Sequence, residues 1–184
     1  MRDTEWVPFS IMEPFVLDVF KSMGVPQMDA EICKNVLLDA DLKGLDTHGV
    51  NRLKPVYYDR VLDGRQKPVT ELELIREGPT TAVFDAHNGM GMVASHKAME
   101  TAIAKAKVYG MGMVVVRNST HFGIAGYYAE MASKQGVLGI SGTNARPSIT
   151  PTFGVEPMLG TNPLTFSFPT DEDFPFTLDC ATSI

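Results

Sequence analysis

Cysteine is scarce in this sequence, and its placement limits the chemistry that the chain can carry. The 184 residues include only two cysteines, Cys33 and Cys180, which lie far apart and form no C-x-x-C or zinc-type spacing. The sequence therefore predicts no cysteine-based metal site and no fold that depends on disulfides. This cysteine usage is typical of the reducing cytoplasm, where we expect the protein to work.

Long apolar runs and clusters of basic residues are also absent. No apolar run approaches the ~18 residues of a membrane helix, and the first residues, Met1–Trp6, lack the apolar segment of a signal peptide. The formal net charge is −6, whereas nucleic acids and anionic membranes bind clustered Lys and Arg. We therefore expect no nucleic-acid and no membrane partner. An anionic small substrate remains compatible with this charge, because the local charge in a cleft matters more than the net value.

What is present is the composition of a soluble globular protein. Apolar residues make up 44% and charged residues 21% of the chain. Apolar residues at helical spacing, with glycine or proline at the ends, predict helices over 11–23, 29–43 and 50–62. We interpret residues 1–68 as a helical region and place a domain boundary at the turn Pro68–Thr70.

The second part of the chain, residues 69–184, alternates strands and helices. Short apolar runs predict strands near 72–74, 82–84, 137–141, 164–168 and 176–178, and the apolar, β-branched run 113–116 predicts a buried strand. Helices are predicted over 93–109 and 126–135, and the Pro- and Gly-rich stretch 146–163 is predicted to be a long loop. This alternation indicates an α/β domain.

One glycine motif, Gly89-Met90-Gly91-Met92-Val93-Ala94, fits the G-x-G-x-x-A pattern of dinucleotide-binding turns. It lies between a predicted strand and a predicted helix, which is the context that a Rossmann fingerprint requires. The acidic residue expected at the end of the next strand is missing, and Arg117, which could favour a 2′-phosphate, stands there instead. The alternative, which we favour, is that Gly89 and Gly91 only let the chain turn and pack closely.

The segment Asp46–Arg52 combines a histidine with an arginine. His48 and Arg52 are four residues apart at a predicted helix start, so their side chains share one face. Histidine suits proton transfer near neutral pH, and arginine offers a fork for a carboxylate. A 2-oxo acid requires both groups. The structural alternative is a capped helix start with a surface histidine and arginine.

A second candidate histidine, His121, lies in the polar segment Arg117–Gly123 that directly follows the predicted strand Met113–Val116. Polar residues at the C-terminal end of such a strand lie where α/β sheets bind ligands. His121 also has hydroxyl neighbours and the apolar Phe122 beside it. We favour a functional role over a loop histidine that is satisfied by backbone groups.

Taken together, these segments resemble the type-2 malate/L-lactate dehydrogenase family, which includes ureidoglycolate, sulfolactate and diketogulonate oxidoreductases. The matching segments, in chain order, are Asp46–Arg52, Asn118–Gly123 with Ala125–Tyr128, Gly160–Pro163 and Asp179–Ser183. Several motifs in the right order across nearly the whole chain are far more specific than any one of them.

The resemblance implies a non-Rossmann α/β fold, in which a helical region accompanies a domain that holds NAD or NADP. By position, His48 and His121 resemble the paired catalytic histidines, and Arg52 resembles the residue that holds the substrate carboxylate. The implied enzyme is an NAD(P)-dependent oxidoreductase that acts on small 2-hydroxy or 2-oxo acids. The implied cofactor-binding residues are Thr177, Leu178, Asp179, Cys180, Ala181, Thr182, Ser183, Asn144, Thr161 and Asn162, and no metal ligand is predicted.

The same resemblance implies that the protein forms a homodimer and that its substrate is a small carboxylic acid. Family chains are nearly twice this length, so the resemblance covers an N-terminal half, and we expect the fold to be incomplete at its C-terminus. We hypothesise that this half alone is inactive or poorly folded. Two alternatives stay open: a Rossmann-type dehydrogenase that uses Gly89 and Gly91, and a truncated, inert relative that acts only as a binding module. The sequence decides neither the particular acid nor NAD against NADP.

Overall fold

The computed structural model describes residues 6–183, so Met1–Glu5, which were considered for a signal peptide, and the terminal Ile184 lie outside the described residues. Contacts divide the chain into two compact units. Unit 1 comprises the residues up to 76 together with 83–96 and 115–123, and unit 2 comprises 77–82, 97–114 and the residues from 124 onward. These units do not follow a single cut after residue 68, and the functional division proposed there stays a prediction.

Unit 1 begins with two packed helices, α1 (Phe9–Ser22) and α2 (Gln27–Leu42), close to their predicted bounds. Their apolar residues recur at helical spacing and are fully buried where they meet the rest of the unit, as at Phe20 and Val36. Gly24, with a φ of 87°, provides the left-handed turn that ends α1. The helical periodicity of the sequence is therefore confirmed here.

The predicted helix over 50–62 is present but irregular. A 3-10 turn (Val50–Arg52) leads into a π-helical segment (Leu53–Tyr58), and a short α-helix, α3 (Asp59–Leu62), completes it. A π turn closes over five residues rather than four, so it shifts every later residue by one position on the helix surface. Tyr57 is fully buried in this segment, with its ring centroid 5.9 Å from that of Phe20.

A three-stranded sheet has the order β1-β2-β3, formed by β1 (Glu73–Glu77), β2 (Thr81–Asp85) and β3 (Met113–Arg117). Helix α4 (Gly91–Tyr109) connects β2 to β3. The prediction that the strand over 113–116 is buried is wrong, because the side chains of Met113 and Val115 are 55% and 45% exposed. An edge strand has one neighbour only, and its alternate side chains point to opposite faces, one of which is open here.

Unit 2 contains a helix packed on an antiparallel sheet. Its elements are α5 (Ala125–Ser133), β4 (Gly139–Gly142), β5 (Leu164–Phe168) and β6 (Phe176–Cys180), with the strand order β4-β5-β6. The predicted long loop before β5 is confirmed, and one bridge between Ile149 and Leu159 closes it. None of the helices within residues 6–183 is long and apolar enough to cross a membrane.

The two faces of this sheet differ in polarity. The face toward α5 carries small polar side chains, and Ser167 on β5 donates a hydrogen bond to the Ser133 hydroxyl of α5 at 2.8 Å. The opposite face is apolar and partly exposed, with exposed fractions of 52% for Ile140, 36% for Leu164, 39% for Phe168, 59% for Phe176 and 49% for Leu178. Exposed apolar faces of this kind commonly mark interaction surfaces.

Candidate active site

The two histidines that the sequence singles out lie together in unit 1. The ring centroids of His48 and His121 are 5.8 Å apart, and the ring planes are inclined by only 20°. The ring of Tyr57 meets His121 edge-on at 5.6 Å. Two imidazoles at this separation can serve one small substrate molecule, which is the arrangement expected of a site for proton transfer.

The loop that carries His48 is fixed by an acidic side chain of α2. The Asp41 carboxylate accepts a hydrogen bond from the Val50 amide at 2.9 Å, and Gly49 leaves room for that carboxylate because a Cβ there would overlap it. The Thr47 hydroxyl lies 2.8 Å from Nδ1 of His48. The Arg52 Nε donates to the Thr47 carbonyl, so histidine and arginine are held on one short segment.

The loop that carries His121 is held against the start of α4. The Thr120 hydroxyl donates to the Gly89 carbonyl at 2.7 Å and accepts from the Gly91 amide at 3.0 Å. A Cβ at Gly91 would lie 2.2 Å from the Thr120 carbonyl oxygen, so the close approach that Gly91 permits is an approach by the chain's own backbone. This contact supports the packing interpretation of the glycine motif and argues against a pyrophosphate at Gly91.

The start of the same loop is anchored by Asp85, at the end of β2. Its carboxylate accepts hydrogen bonds from Nε of Arg117 at 2.8 Å and from the side-chain amide of Asn118 at 2.7 Å. The hydrogen bond from the His87 amide, and after it those from Asn118 and Arg117, hold the pKa of Asp85 below its usual range. Because Arg117 is paired with Asp85, the structure adds nothing in favour of a 2′-phosphate there.

The surroundings of His121 keep its ring neutral at neutral pH. Burial, and after it the electrostatic effect of His48, Arg60 and Arg52 in that order, together lower the pKa of His121 to about 4. Arg52, which is predicted to hold a carboxylate, therefore also helps to set the charge state of this histidine.

The depressed pKa of His121 predicts a pH dependence of stability. Above pH 6.5 the ring is neutral in both states, but as the pH falls from about 6.5 to about 4 only the unfolded chain binds the proton. The free energy of unfolding should therefore fall by up to about 3 kcal/mol over this window, with no further loss from this group below about pH 4. Urea unfolding of the wild type and of His121→Gln at several pH values measures the difference.

A matched control is His87→Gln, which removes a histidine that pairs with Glu73 at 2.9 Å elsewhere in unit 1. The free energy of unfolding of His87→Gln should fall with decreasing pH as it does in the wild type. Equal pH slopes for the wild type and His121→Gln would show that His121 is not held neutral by the fold.

In unit 2, the first part of the predicted cofactor-binding segment is β6. Asp179 faces α5, where its carboxylate accepts hydrogen bonds from the Gly126 amide at 2.8 Å and from the Thr165 hydroxyl at 2.7 Å. Thr177 shares that face and contacts the Ser167 hydroxyl at 2.9 Å, so both side chains are engaged within the unit. Leu178 and Cys180 alternate with them and lie on the opposite, exposed face of the sheet.

The second part of the segment joins the other predicted positions in one hydrogen-bonded cluster. The Thr182 amide donates to the Thr161 carbonyl at 2.9 Å, and its hydroxyl donates to the Asn162 carbonyl at 2.8 Å. Asn162 accepts from the Ala145 amide at 2.9 Å and donates to the Ser183 hydroxyl at 3.4 Å. Asn144 is exposed beside this cluster, and Ala181 is half-buried within it.

This cluster fits a nicotinamide cofactor in its chemistry. The Ser183 hydroxyl, which accepts from Asn162, keeps its own proton to donate. The exposed Thr161 and Thr182 offer further polar groups, and Leu178 supplies exposed apolar surface in the same segment. A carboxamide and a flat ring require such a combination of hydroxyl groups and apolar surface. No group of three or more metal-ligating side chains occurs in the described part of the chain.

Three residues that hold the histidines in place escaped the sequence interpretation. Tyr57 looks like an ordinary core aromatic within a helix, Asp41 like a solvated helix residue, and Thr120 like one hydroxyl of a polar loop. The partners of Tyr57 and Thr120 lie far along the chain, 64 and 31 residues away. The amide that Asp41 binds is only nine residues away, but no motif in the sequence marks that contact.

Comparison with known proteins identifies the family. The sequence profile of malate/L-lactate dehydrogenase matches residues 7–184. Malate dehydrogenase from Pyrococcus horikoshii is 47% identical over 178 residues, which are 97% of this chain and 49% of that protein. L-sulfolactate dehydrogenase from Methanocaldococcus jannaschii is 45% identical, over 91% of this chain and 48% of that protein. The chain therefore belongs to the malate/L-lactate dehydrogenase family.

The fold agrees with this assignment. The crystal structure of malate dehydrogenase from Entamoeba histolytica superposes with a TM-score of 0.95 at 50% sequence identity, covering 99% of this chain and 50% of that chain. The predicted family and the predicted α/β fold class are thus confirmed. The chain spans about half the length of the curated relatives it matches.

Proposed function

We propose that this chain forms part of an NAD(P)-dependent oxidoreductase that acts on a small 2-hydroxy or 2-oxo acid of the malate or L-lactate type. The observation that carries the proposal is the His48–His121 pair, with centroids 5.8 Å apart, on segments that also hold Arg52. Family membership supports it, and the relatives named above are described as malate and L-sulfolactate dehydrogenases. Both of those substrates are small 2-hydroxy acids with a second anionic group.

Each residue has a separate task in this proposal. Arg52 binds the substrate carboxylate through its guanidinium fork, which fixes the orientation of the carbonyl or hydroxyl carbon. The histidine pair binds the substrate oxygen and exchanges a proton with it. The cluster of Thr161, Asn162, Thr182 and Ser183, with Asn144, would hold NAD or NADP, which when bound supplies or accepts the hydride.

A second candidate is a relative of these enzymes that binds its ligands without turnover. An assay of NADH and NADPH oxidation distinguishes the active oxidoreductase from the inert relative. We also propose a homodimer that works in the cytoplasm, and a native mass measurement tests the dimer.

The testing experiment follows NADH and NADPH oxidation by absorbance with oxaloacetate, pyruvate, 2-oxoglutarate and a cyclic imino acid. The 184-residue chain and a full-length protein that carries this sequence are assayed in parallel. We expect the full-length protein to turn over at least one 2-oxo acid and the 184-residue chain alone to be inactive. Cofactor binding by the full-length protein without any turnover would favour the inert candidate.

The role of Arg52 yields a specific prediction. Arg52→Lys keeps the charge but loses the planar fork, so KM for the active 2-oxo acid should rise by roughly 10- to 100-fold. Steady-state kinetics over a range of substrate concentrations measures this change. The matched control is Arg65→Lys, an exposed arginine that pairs with Asp63. An unchanged KM in Arg52→Lys would remove Arg52 from the substrate site.

A further inference from the structure

His121 has a buried partner to which the proposed function assigns no task. The Tyr57 hydroxyl lies 2.7 Å from Nδ1 of His121, and the Gly123 amide donates to the same nitrogen at 3.2 Å. A backbone amide only donates, so Nδ1 must act as an acceptor and carries no proton. The neutral ring then carries its proton on Nε2.

The second contact is consistent with this tautomer. Tyr57 is fully buried, and burial raises the pKa of its hydroxyl well above the usual value, so the hydroxyl keeps its proton and donates it to Nδ1. A relay that passed the Tyr57 proton through His121 would leave a buried phenolate, which is strongly disfavoured. Tyr57 is therefore a hydrogen-bond donor in this site and does not exchange its proton.

We propose that Tyr57 is a positioning residue that, with the Gly123 amide, holds His121 in the Nε2–H tautomer, so that His121 presents a neutral hydrogen-bond donor to the carbonyl oxygen of the substrate. This inference rests on the proposed function for the identity of that oxygen. The charged and titratable groups around His121 are His48, Arg52, Arg60 and Tyr57.

The division of labour between the two histidines follows from this tautomer. During reduction, the His48 imidazolium gives the proton that completes the product hydroxyl and becomes neutral, while His121 keeps its Nε2 proton and only donates a hydrogen bond. During oxidation, the substrate hydroxyl proton passes to neutral His48. The nicotinamide cofactor of the proposed function would supply the hydride during reduction and accept it during oxidation.

The first test is the nitrogen chemical shifts of His121, which distinguish protonated from unprotonated ring nitrogens. The protein is labelled with 15N-histidine, and the His121 signals are assigned by their loss in His121→Gln. At neutral pH we expect Nδ1 to be unprotonated and Nε2 to be protonated. In Tyr57→Phe the two tautomers of His121 should interconvert. The chemical shift of each ring nitrogen should then lie between the values of a protonated and an unprotonated nitrogen. A protonated Nδ1 in the wild type overturns the proposal, even if Tyr57→Phe fails to fold.

The second test separates positioning from folding. Tyr57→Phe should lower kcat about tenfold, which corresponds to one hydrogen bond, and should leave KM within about twofold. The matched control is Tyr58→Phe, the next residue of the same π-helical segment, which should leave both constants within about twofold. Equal kcat in Tyr57→Phe and the wild type, or unchanged His121 shifts in that variant, would overturn the role of Tyr57.

The nitrogen shifts do not depend on turnover, so the two proposals fail separately. The Nε2–H tautomer in a protein that turns over none of the acids would contradict the proposed function and leave the positioning by Tyr57 intact. Turnover of a 2-oxo acid by a protein in which Nδ1 of His121 is protonated would support the proposed function and contradict the positioning by Tyr57.

Discussion

Replacing His121 by alanine should lower kcat for the active 2-oxo acid by about 10²- to 10³-fold, the usual loss when a hydrogen-bond donor to the developing alkoxide is removed. The variant removes one of two imidazoles whose centroids are 5.8 Å apart, and it leaves the Tyr57 hydroxyl without its 2.7 Å partner. Arg52 and the unit 2 cluster remain, so substrate and cofactor should still bind. Single-turnover kinetics with separately measured cofactor affinity isolates the effect on the chemical step.

The control for this experiment is His87→Ala, which removes a histidine of unit 1 outside the His48–His121 pair. It should leave kcat within about twofold of the wild type, as most substitutions away from a site do. Retention of the wild-type kcat in His121→Ala would show that His48 acts without a second histidine.

The second large effect is expected at Gly91, where alanine should lower the free energy of unfolding by roughly 3–5 kcal/mol. A Cβ at Gly91 would lie 2.2 Å from the Thr120 carbonyl oxygen and 2.6 Å from that of His121, and neither backbone atom can rotate away. The His121 loop must then leave the start of α4, so the histidine pair should separate as well. Urea unfolding measures the stability loss, and kcat reports the displacement of His121.

A comparison glycine is Gly78, at the turn between β1 and β2. A Cβ there would meet only the Thr81 hydroxyl at 3.1 Å, and that side chain is free to change rotamer. Gly78→Ala should therefore change the free energy of unfolding by less than about 1 kcal/mol. Gly91→Ala with wild-type stability would contradict the backbone contact on which the His121 loop depends. Because Gly91→Ala alters the fold itself, lost cofactor binding in a Gly91 variant would not demonstrate a Rossmann site.

Much of the secondary structure could be predicted because its signals are local. The helical periodicity of α1 and α2 and the short apolar runs of β2 and β5 are each contained in one stretch of sequence, and the structure has those elements close to the expected bounds. Two features were not predictable in this way. The π turn around Tyr57 packs against α1, and the exposure of β3 arises because one face of its sheet is open.

The candidate site shows the same division. His48, Arg52 and His121 stand out in the sequence because their residue types and neighbours suit acid–base chemistry and carboxylate binding. The sequence also marked Thr161, Asn162, Thr182 and Ser183, which the structure joins through hydrogen bonds, although their predicted contact with a cofactor stays a prediction.

The sequence by itself determined the family, the α/β class and the residue types of the site, because these are carried by motifs and periodicities that are local along the chain. Only the tertiary structure decided that His121 stacks on His48, receives the Tyr57 hydroxyl on Nδ1 and has a pKa of about 4. The tautomer and charge of an imidazole depend on desolvation and on partners from distant segments. Those surroundings exist only once the chain has folded.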